Sequence, residues 1–338
     1  MARPAHEVLA WSRSLVDPAL RKAVDTMPGP MRHVAGYHFG WWDEHGDPTS
    51  GDAGKAFRPA LTLLAGRAVG GDPDATLPAA VATELVHNFS LVHDDVMDGD
   101  LTRRHRRTVW SVFGRRIAIL AGDALLTLAF DVLAAGGNRF VQSGQRLLAS
   151  TVLELLRGQY EDLDFERRDD VTLVECQHMA AGKTGALLGC ACALGGLFGG
   201  GDEEQVNRLR GFGERLGLAF QHHDDLLGIW GDPQLTGKPV HSDLANRKKS
   251  LPVVAALTSD SEAGRALSEL YHRPSRLSTG ELVHAAELVE LAGGRAWSQA
   301  QTEYLRTQAV RRLRSATLAA SAAAELEALA RLATRRDN

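Results

Sequence analysis

Residues 83–98 read TELVHNFSLVHDDVMD, an apolar-periodic stretch that closes on three aspartates. Apolar residues recur at helical spacing through Val81, Leu85, Val86, Phe89 and Val92, so the stretch is expected to be one helix. Thr76 can cap it, Pro78 suits its first turn and Gly99 stops it. At about 100° per residue, His87, Leu91, Asp94 and Asp98 share a stripe, which places two carboxylates one turn apart, about 5–6 Å between Cβ atoms. Asp95 flanks them. Three acidic side chains in a last helical turn meet the negative end of the macrodipole, and something must offset that. A solvated acidic end is one reading. A divalent cation is the other: Mg²⁺ takes one or two carboxylates and fills its remaining positions with water and phosphate oxygens.

The 338 residues are 44% hydrophobic and 24% charged, the composition of a globular chain with a substantial core. No Pro/Ser-rich linker divides them, so one helical domain over 1–338 is expected, with short N-terminal helices at 5–42 packed on it. A net charge of -4 gives no reason to expect nucleic acid or an anionic membrane as partner. Three cysteines make neither a disulfide framework nor a metal knuckle; they read as small buried residues in a reducing compartment. MARPAHEVLAW lacks the apolar core of a signal peptide, and the longest apolar run noted, Ala186 to Phe198, is short and Gly-interrupted. A cytoplasmic protein with no transmembrane segment is expected.

Further helices are predicted at His6–Ser14, Pro18–Thr26, Pro30–Trp42, Ala56–Val69, Arg115–Ala135, Phe140–Phe165, Leu173–Leu197, Glu203–Trp230 and Asp243–Leu257, with several more in the C-terminal third. Period-two alternation is almost absent. The fold class is therefore all-α, a helical bundle, and bundles build their sites in the core from facing helices. A second helix carries matching chemistry: FQHHDDLLGIW, residues 220–230, ends at Gly231 and Pro233 and places Asp224 and Asp225 in its last two turns. Two such clusters facing across a bundle would hold several Mg²⁺ ions around a diphosphate.

Cations lie beside both clusters. Lys55 and Arg58, in GKAFRP, are three apart at a helix start, where both can reach one phosphate. Arg103 and Arg104 follow the first cluster in TRRHRRTVW. Gly182-Lys183-Thr184-Gly185 interrupts an apolar helix, and beyond the second cluster come Lys238 in TGKP and Lys248-Lys249 in NRKKSLP. In a chain of net negative charge these positions point to two polyanionic substrates.

From GKAFRP through HNFSLVHDDVMDGD, RR, GDALL, GKTG, FQHHDD, GDPQLTGKP and DLANRKKSLP, the chain resembles the head-to-tail trans-isoprenyl diphosphate synthases. The likeness covers most of the chain with six or seven ordered motifs. It implies the isoprenoid synthase fold, a single large bundle around a central cavity, and a homodimer. It also implies that Asp94 and Asp98 bind two Mg²⁺ ions and Asp224 a third on the diphosphate of an allylic substrate, with Asp95 and Asp225 supporting through waters. By the same resemblance Lys183, Lys238, Lys248 and Arg103 hold that leaving group, and Lys55, Arg58, His87 and Arg104 grip isopentenyl diphosphate. Thr184 and Gln221 would turn oxygen dipoles toward the allylic cation.

The sequence departs from the family pattern in two places. Gly228 stands where many relatives carry the third aspartate of the second motif, with Asp232 one further turn along, and RRHRRT replaces RRGxPT, with His105 and Arg107 for Gly and Pro. Chain length in the family depends on residues just before the first motif. Phe89 followed by Ser90 resembles geranylgeranyl diphosphate synthases, with a farnesyl product as the near alternative. Gly228 and Arg107 also leave open a catalytically weak partner subunit of a heteromeric synthase. A class I terpene cyclase shares the first motif but needs no site such as Lys55, Arg58 and His87.

Overall fold

The computed structural model describes residues 2–49, 54, 56–233, 239–273 and 275–334. Helix α1, Ala5–Val24, buries Val8, Ser12, Val16, Leu20 and Val24 at a spacing of four. That continuous stripe joins the two helices expected on either side of Pro18. An internal proline costs a helix about 3 kcal/mol, and the packing of the stripe outweighs it. Helix α2, Gly29–His38, stops four residues short of its expected end at Trp42.

Helices α3, Phe57–Ala68, and α4, Pro73–Asp98, follow. The start of α4 corrects the sequence reading: Asp72 is the cap, its carboxylate accepting from the Asp74 N–H at 2.9 Å, Pro73 occupies the first turn, and Pro78 lies inside the helix. An aspartate followed at once by proline satisfies an orphan N–H and leaves none at the next position, which Thr76 could not match. Its end falls at Gly99, in the left-handed region at φ 71°, as expected.

A hairpin absent from the sequence reading comes next. Strands β1, Thr102–Arg103, and β2, Arg106–Arg107, pair antiparallel with Arg103 opposite Arg106. Arg104 and His105 form the two-residue loop, both at positive φ (50° and 60°), the geometry of a type I′ turn. The remaining helices are α5 (Val109–Phe113), α6 (Arg115–Ala135), α7 (Val141–Phe165), α8 (Leu173–Ala180), α9 (Ala186–Phe198), α10 (Glu203–Trp230), α11 (Ser242–Ala245), α12 (Leu251–Leu257), α13 (Glu262–Tyr271), α14 (Thr279–Leu291), α15 (Gly294–Arg314) and α16 (Ala320–Thr334).

Two expected helices are interrupted, both at cationic motifs. The one over Leu173–Leu197 widens into a π-helical segment, Ala181–Gly185, between α8 and α9. A Cβ on Gly158 of α7 would stand 2.3 Å from the Lys183 nitrogen, so this segment is pressed against α7. The one over Asp243–Leu257 splits into α11 and α12, because Arg247 takes a left-handed φ of 51° and Pro252 opens a new first turn.

The chain forms two compact units. One contains the chain through Ser150, with Cys190–Arg210 and Arg312–Leu329; the other contains Thr151–Gly189, Gly211–Arg311 and the segment from Ala330 onward. In the first, α4 packs against α3 and α6, burying Leu61, Leu64, Leu85, Leu125 and Leu133 completely. In the second, Ile229, Leu244, Val253, Leu267 and Val289 form one core cluster, and Phe165, Cys176, Met179, Leu251 and Val254 another. The three cysteines are buried and form no disulfide.

Among the described residues, two helical stretches are long and apolar enough to cross a membrane, Arg115–Ala135 and Leu173–Phe198. The sequence reading overlooked the first. The second is 78% buried in its most apolar window, as a core helix is, whereas the first is 39% buried.

Small residues set how closely helices meet in the first unit. A Cβ on Gly195 of α9 would lie 2.1 Å from the carbonyl oxygen of Thr62 in α3. Neither backbone can yield as a side chain does. Gly195→Ala is expected to destabilise the protein by about 2–3 kcal/mol, read as a lower urea midpoint at unchanged slope.

Candidate active site

In the first unit, the last turns of α4 separate the three carboxylates of the first motif. Asp94 is half-buried and Asp98 exposed, while Asp95 is buried. Arg103, from β1, donates to Asp95 Oδ1 from Nε at 2.8 Å and lies 2.7 Å away through Nη2. Asp95 is thus committed to Arg103, while Asp94 and Asp98 share the more accessible stripe. Among the described residues no three metal-ligating side chains gather into a cage. Mg²⁺ does not require one, since water and substrate oxygens complete its shell; two accessible carboxylates one turn apart suit it.

The same unit concentrates positive charge. The Arg104 guanidinium lies over Gly54, where a Cβ would stand 2.4 Å from it. Burial, then the fields of Arg58, Arg104 and Arg103, hold the His87 imidazole well below its ordinary range. His38 is pushed down to about 3 by burial and by Arg104 and Arg103, against the hydrogen bond to Asn88. Burial and Arg104 lower Arg58 to about 10, while Glu84 opposes them. Glu84 is itself buried and raised by that burial. The Arg58 Nε–H is buried and finds no hydrogen-bond acceptor among the described residues. Three guanidiniums around two imidazoles driven neutral are the electrostatic signature of a seat for an anion.

Sequence reasoning missed His38. It reaches the cluster from α2, with Nε2 3.0 Å from Asn88 Oδ1, and Asn88 donates to the Glu84 carbonyl at 2.8 Å and to Glu84 Oε1 at 3.1 Å. No sequence spacing ties residue 38 to residue 87. Arg106 holds this region together by donating to the carbonyls of Tyr37 (3.0 Å) and Trp42 (3.1 Å). Tyr37, His38, Asp95, Arg103 and Arg104 line one cleft.

Phe89 and Ser90, the residues read as setting product length, are both buried. The Phe89 ring packs edge-on against His93 at 4.9 Å, and His93 Nε2 lies 3.0 Å from the Ile119 carbonyl oxygen. Phe89 thus packs against a histidine that is itself tied to α6.

In the second unit the second motif repeats the division of the first: Asp224 is exposed and Asp225 buried. Asp225 accepts from Gln221 Nε2 at 2.7 Å and from the Leu251 N–H at 2.8 Å, and Thr184 donates to Gln221 Oε1. Thr184, Gln221 and Asp225 thus form one chain that ends on the first turn of α12. Burial raises the Asp225 carboxyl to about 7, opposed by Lys248. Lys183 pairs with Asp162 at 2.6 Å. Asp162 also heads the carboxylates that raise Lys248, the others being Asp243, Asp225 and Asp224, and together they outweigh its burial. Asp162 and Asp243 were not singled out in the sequence. Lys249, by contrast, is buried and donates to the Arg168 carbonyl at 2.9 Å. Lys55 and Lys238 lie outside the described residues.

Residues 41–289 match the family model of the polyprenyl synthetases. The chain is 45% identical over 333 residues to a (2E,6E)-farnesyl diphosphate synthase of Mycobacterium tuberculosis, covering 98% of this chain and 93% of that protein. It is 48% identical over 288 residues to a geranylgeranyl diphosphate synthase of the same species, covering 85% and 82%. A crystal structure of a polyprenyl synthetase from Streptomyces coelicolor superimposes with a TM-score of 0.93 at 45% identity, covering 98% of this chain and all of that one. The chain belongs to the polyprenyl synthetase family, as a trans-isoprenyl diphosphate synthase with the all-α isoprenoid synthase fold and prenyltransferase activity.

Proposed function

We propose that this protein condenses isopentenyl diphosphate head-to-tail with allylic diphosphates and stops at geranylgeranyl diphosphate. The observation that carries the reading is the concentration of Arg58, Arg103 and Arg104 about His87, two of which, Arg103 and Arg104, also act on His38; this favours an anionic ligand such as a diphosphate. Arg58, His87 and Arg104, with Lys55, hold isopentenyl diphosphate. Lys183, Lys248 and Arg103, with Lys238, hold the allylic diphosphate. Mg²⁺, up to three ions held by Asp94, Asp98 and Asp224, would supply positive charge to the departing diphosphate. The allylic carbon–oxygen bond breaks, the isopentenyl double bond attacks the resulting carbocation to form the new carbon–carbon bond, and the proton lost passes to the released diphosphate. Thr184 and Gln221, fixed to each other and to Asp225, keep their oxygen dipoles oriented toward the cation.

Phe89 followed by Ser90 supports the twenty-carbon product, with the aromatic ring ending the path of the tail. A farnesyl product is the second reading, favoured by the name of the relative that matches 98% of this chain. A cytoplasmic homodimer is proposed as the working form. The half-exposed apolar residues Ile119 and Leu120 on α6 support this reading.

Incubation with Mg²⁺, labelled isopentenyl diphosphate and separate dimethylallyl, geranyl and farnesyl starters, followed by chromatography of the dephosphorylated alcohols, tests the proposal. A ladder ending at twenty carbons is expected. An end at fifteen carbons selects the farnesyl reading, and no elongation by folded protein selects a partner subunit. Asp94→Ala is expected to cut turnover by about 100-fold or more while leaving the helical circular dichroism intact. Phe89→Ala is expected to lengthen the product in the same assay.

The cationic seat also predicts a pH dependence of stability. His38 titrates near 6.5 when unfolded but at about 3 when folded, so the unfolded chain binds the extra proton as pH falls through that window. Stability is present above pH ~6.5 and lost on acidification. His38→Gln is expected to reduce the loss between pH 7 and pH 5 by about 1–2 kcal/mol, measured by urea unfolding at both pH values.

A further inference from the structure

The two acidic motifs differ at one acidic position. In α4 the stripe reads Asp94 then Asp98, four residues apart; in α10 it reads Asp224 then Gly228 at the same spacing. The place of the missing side chain is filled. A Cβ built on Gly228 would stand 2.2 Å from Asp243 Oδ2, 2.4 Å from its Cγ and 2.7 Å from Oδ1. The Asp243 carboxylate therefore lies where a side chain on residue 228 would begin. Asp232, by contrast, lies beyond the end of α10.

Local structure holds Asp243 there. His241 N–H donates to the Ile229 carbonyl at 3.2 Å and Ser242 Oγ to the Gly228 carbonyl at 3.3 Å, so the start of α11 is tied to the end of α10 at Gly228 and at the residue after it. The Lys248 N–H donates to the Asp243 carbonyl at 2.9 Å, which brings the lysine back beside the same residue. The field of Asp243 acts on both Lys248 and Asp225.

We propose that Asp243 supplies from α11 the second carboxylate of the α10 stripe, admitted by the absence of a side chain at Gly228, and that it positions the Lys248 ammonium for the allylic diphosphate. Asp243 is thereby a positioning residue, and Gly228 a sign of relocation. The same charge reaches the same place from a different helix. The inference rests on the prenyltransferase reading for its substrate, and its geometry lies wholly within the second unit.

Moving the carboxylate between the two backbones tests it. Four proteins are compared: wild type, Asp243→Ala, Gly228→Asp, and the double variant Gly228→Asp with Asp243→Ala. Each is measured for kcat and for KM of the allylic starter, and for the rise in melting temperature caused by inorganic diphosphate with Mg²⁺. Asp243→Ala is expected to raise the allylic KM by about tenfold or more, with a smaller change in kcat, and to lose most of the diphosphate-induced shift. Gly228→Asp alone is expected to be impaired because its Cβ collides with the resident carboxylate. The double variant is expected to recover both readouts to within about threefold of wild type, the non-additivity of sites that share one space. Asp243→Asn, which keeps shape and removes charge, is expected to behave as Asp243→Ala.

A double variant no better than the worse single one would overturn the proposal, as would Asp243→Asn retaining the full diphosphate shift or Gly228→Asp behaving as wild type. Absence of elongation by wild type would count against the prenyltransferase reading. The diphosphate shift, which needs no turnover, would still decide the place of Asp243.

Discussion

The ion pair between Asp95 and Arg103 holds the first half of the site in register. It joins the last turn of α4 to a hairpin whose two-residue loop carries Arg104 at positive φ, so one buried contact fixes where both motif arginines begin. Asp95 is spent on that pair, whereas Asp94 and Asp98 lie on the more accessible face of the helix end. Of the three carboxylates that meet the negative end of the macrodipole, the buried one is neutralised by Arg103, and the other two are those proposed to take a cation.

The second motif follows the same division with different partners. Asp225 is buried on Gln221 and the Leu251 N–H, and Asp224 is exposed. In each pair the inner aspartate builds structure and the outer one is open to chemistry. The cations differ in kind as well. Arg58, Arg103 and Arg104 bring always-charged forks to one unit, whereas Lys183 is an ammonium group held in place by Asp162 and Lys248 one kept charged by Asp162, Asp243, Asp225 and Asp224. Planar forks suit bidentate grip of a diphosphate, and ammonium groups suit a leaving group whose charge grows.

Much of this was legible in the sequence. Period and punctuation marked the ends of α4 and α10, because Gly99 and the Gly231-x-Pro233 pair stop helices by local chemistry. Beginnings were less legible. Thr76 and Asp72 are both capping residues, and only the proline after Asp72 favours the earlier start. Pro18 read as a break because its cost is local, whereas the stripe from Val8 to Val24 that overrides it is tertiary. The π segment at Lys183 and the break before Lys248 were visible as motifs without visible shape.

Within the site, residue types were readable and partners were not. Helical spacing set Asp94 on the stripe of Asp98 and Asp95 beside it, but that Asp95 is buried against Arg103 was not readable. Lys183 and Asp162 are separated by 21 residues and meet only because Gly158 and Gly182 let their helices approach. His38 and Asp243 carry no motif spacing at all. Gly228 read as a loss, and its meaning rests on what stands in the space it leaves.

The central claim is that the arginine cluster of the first unit is a seat for isopentenyl diphosphate, and calorimetric titration of that ligand without Mg²⁺ or allylic substrate tests it most directly. The account predicts one site per chain, weakened about tenfold or more in Arg58→Met. Absence of binding by the wild type, or equal affinity in the variant, would contradict it.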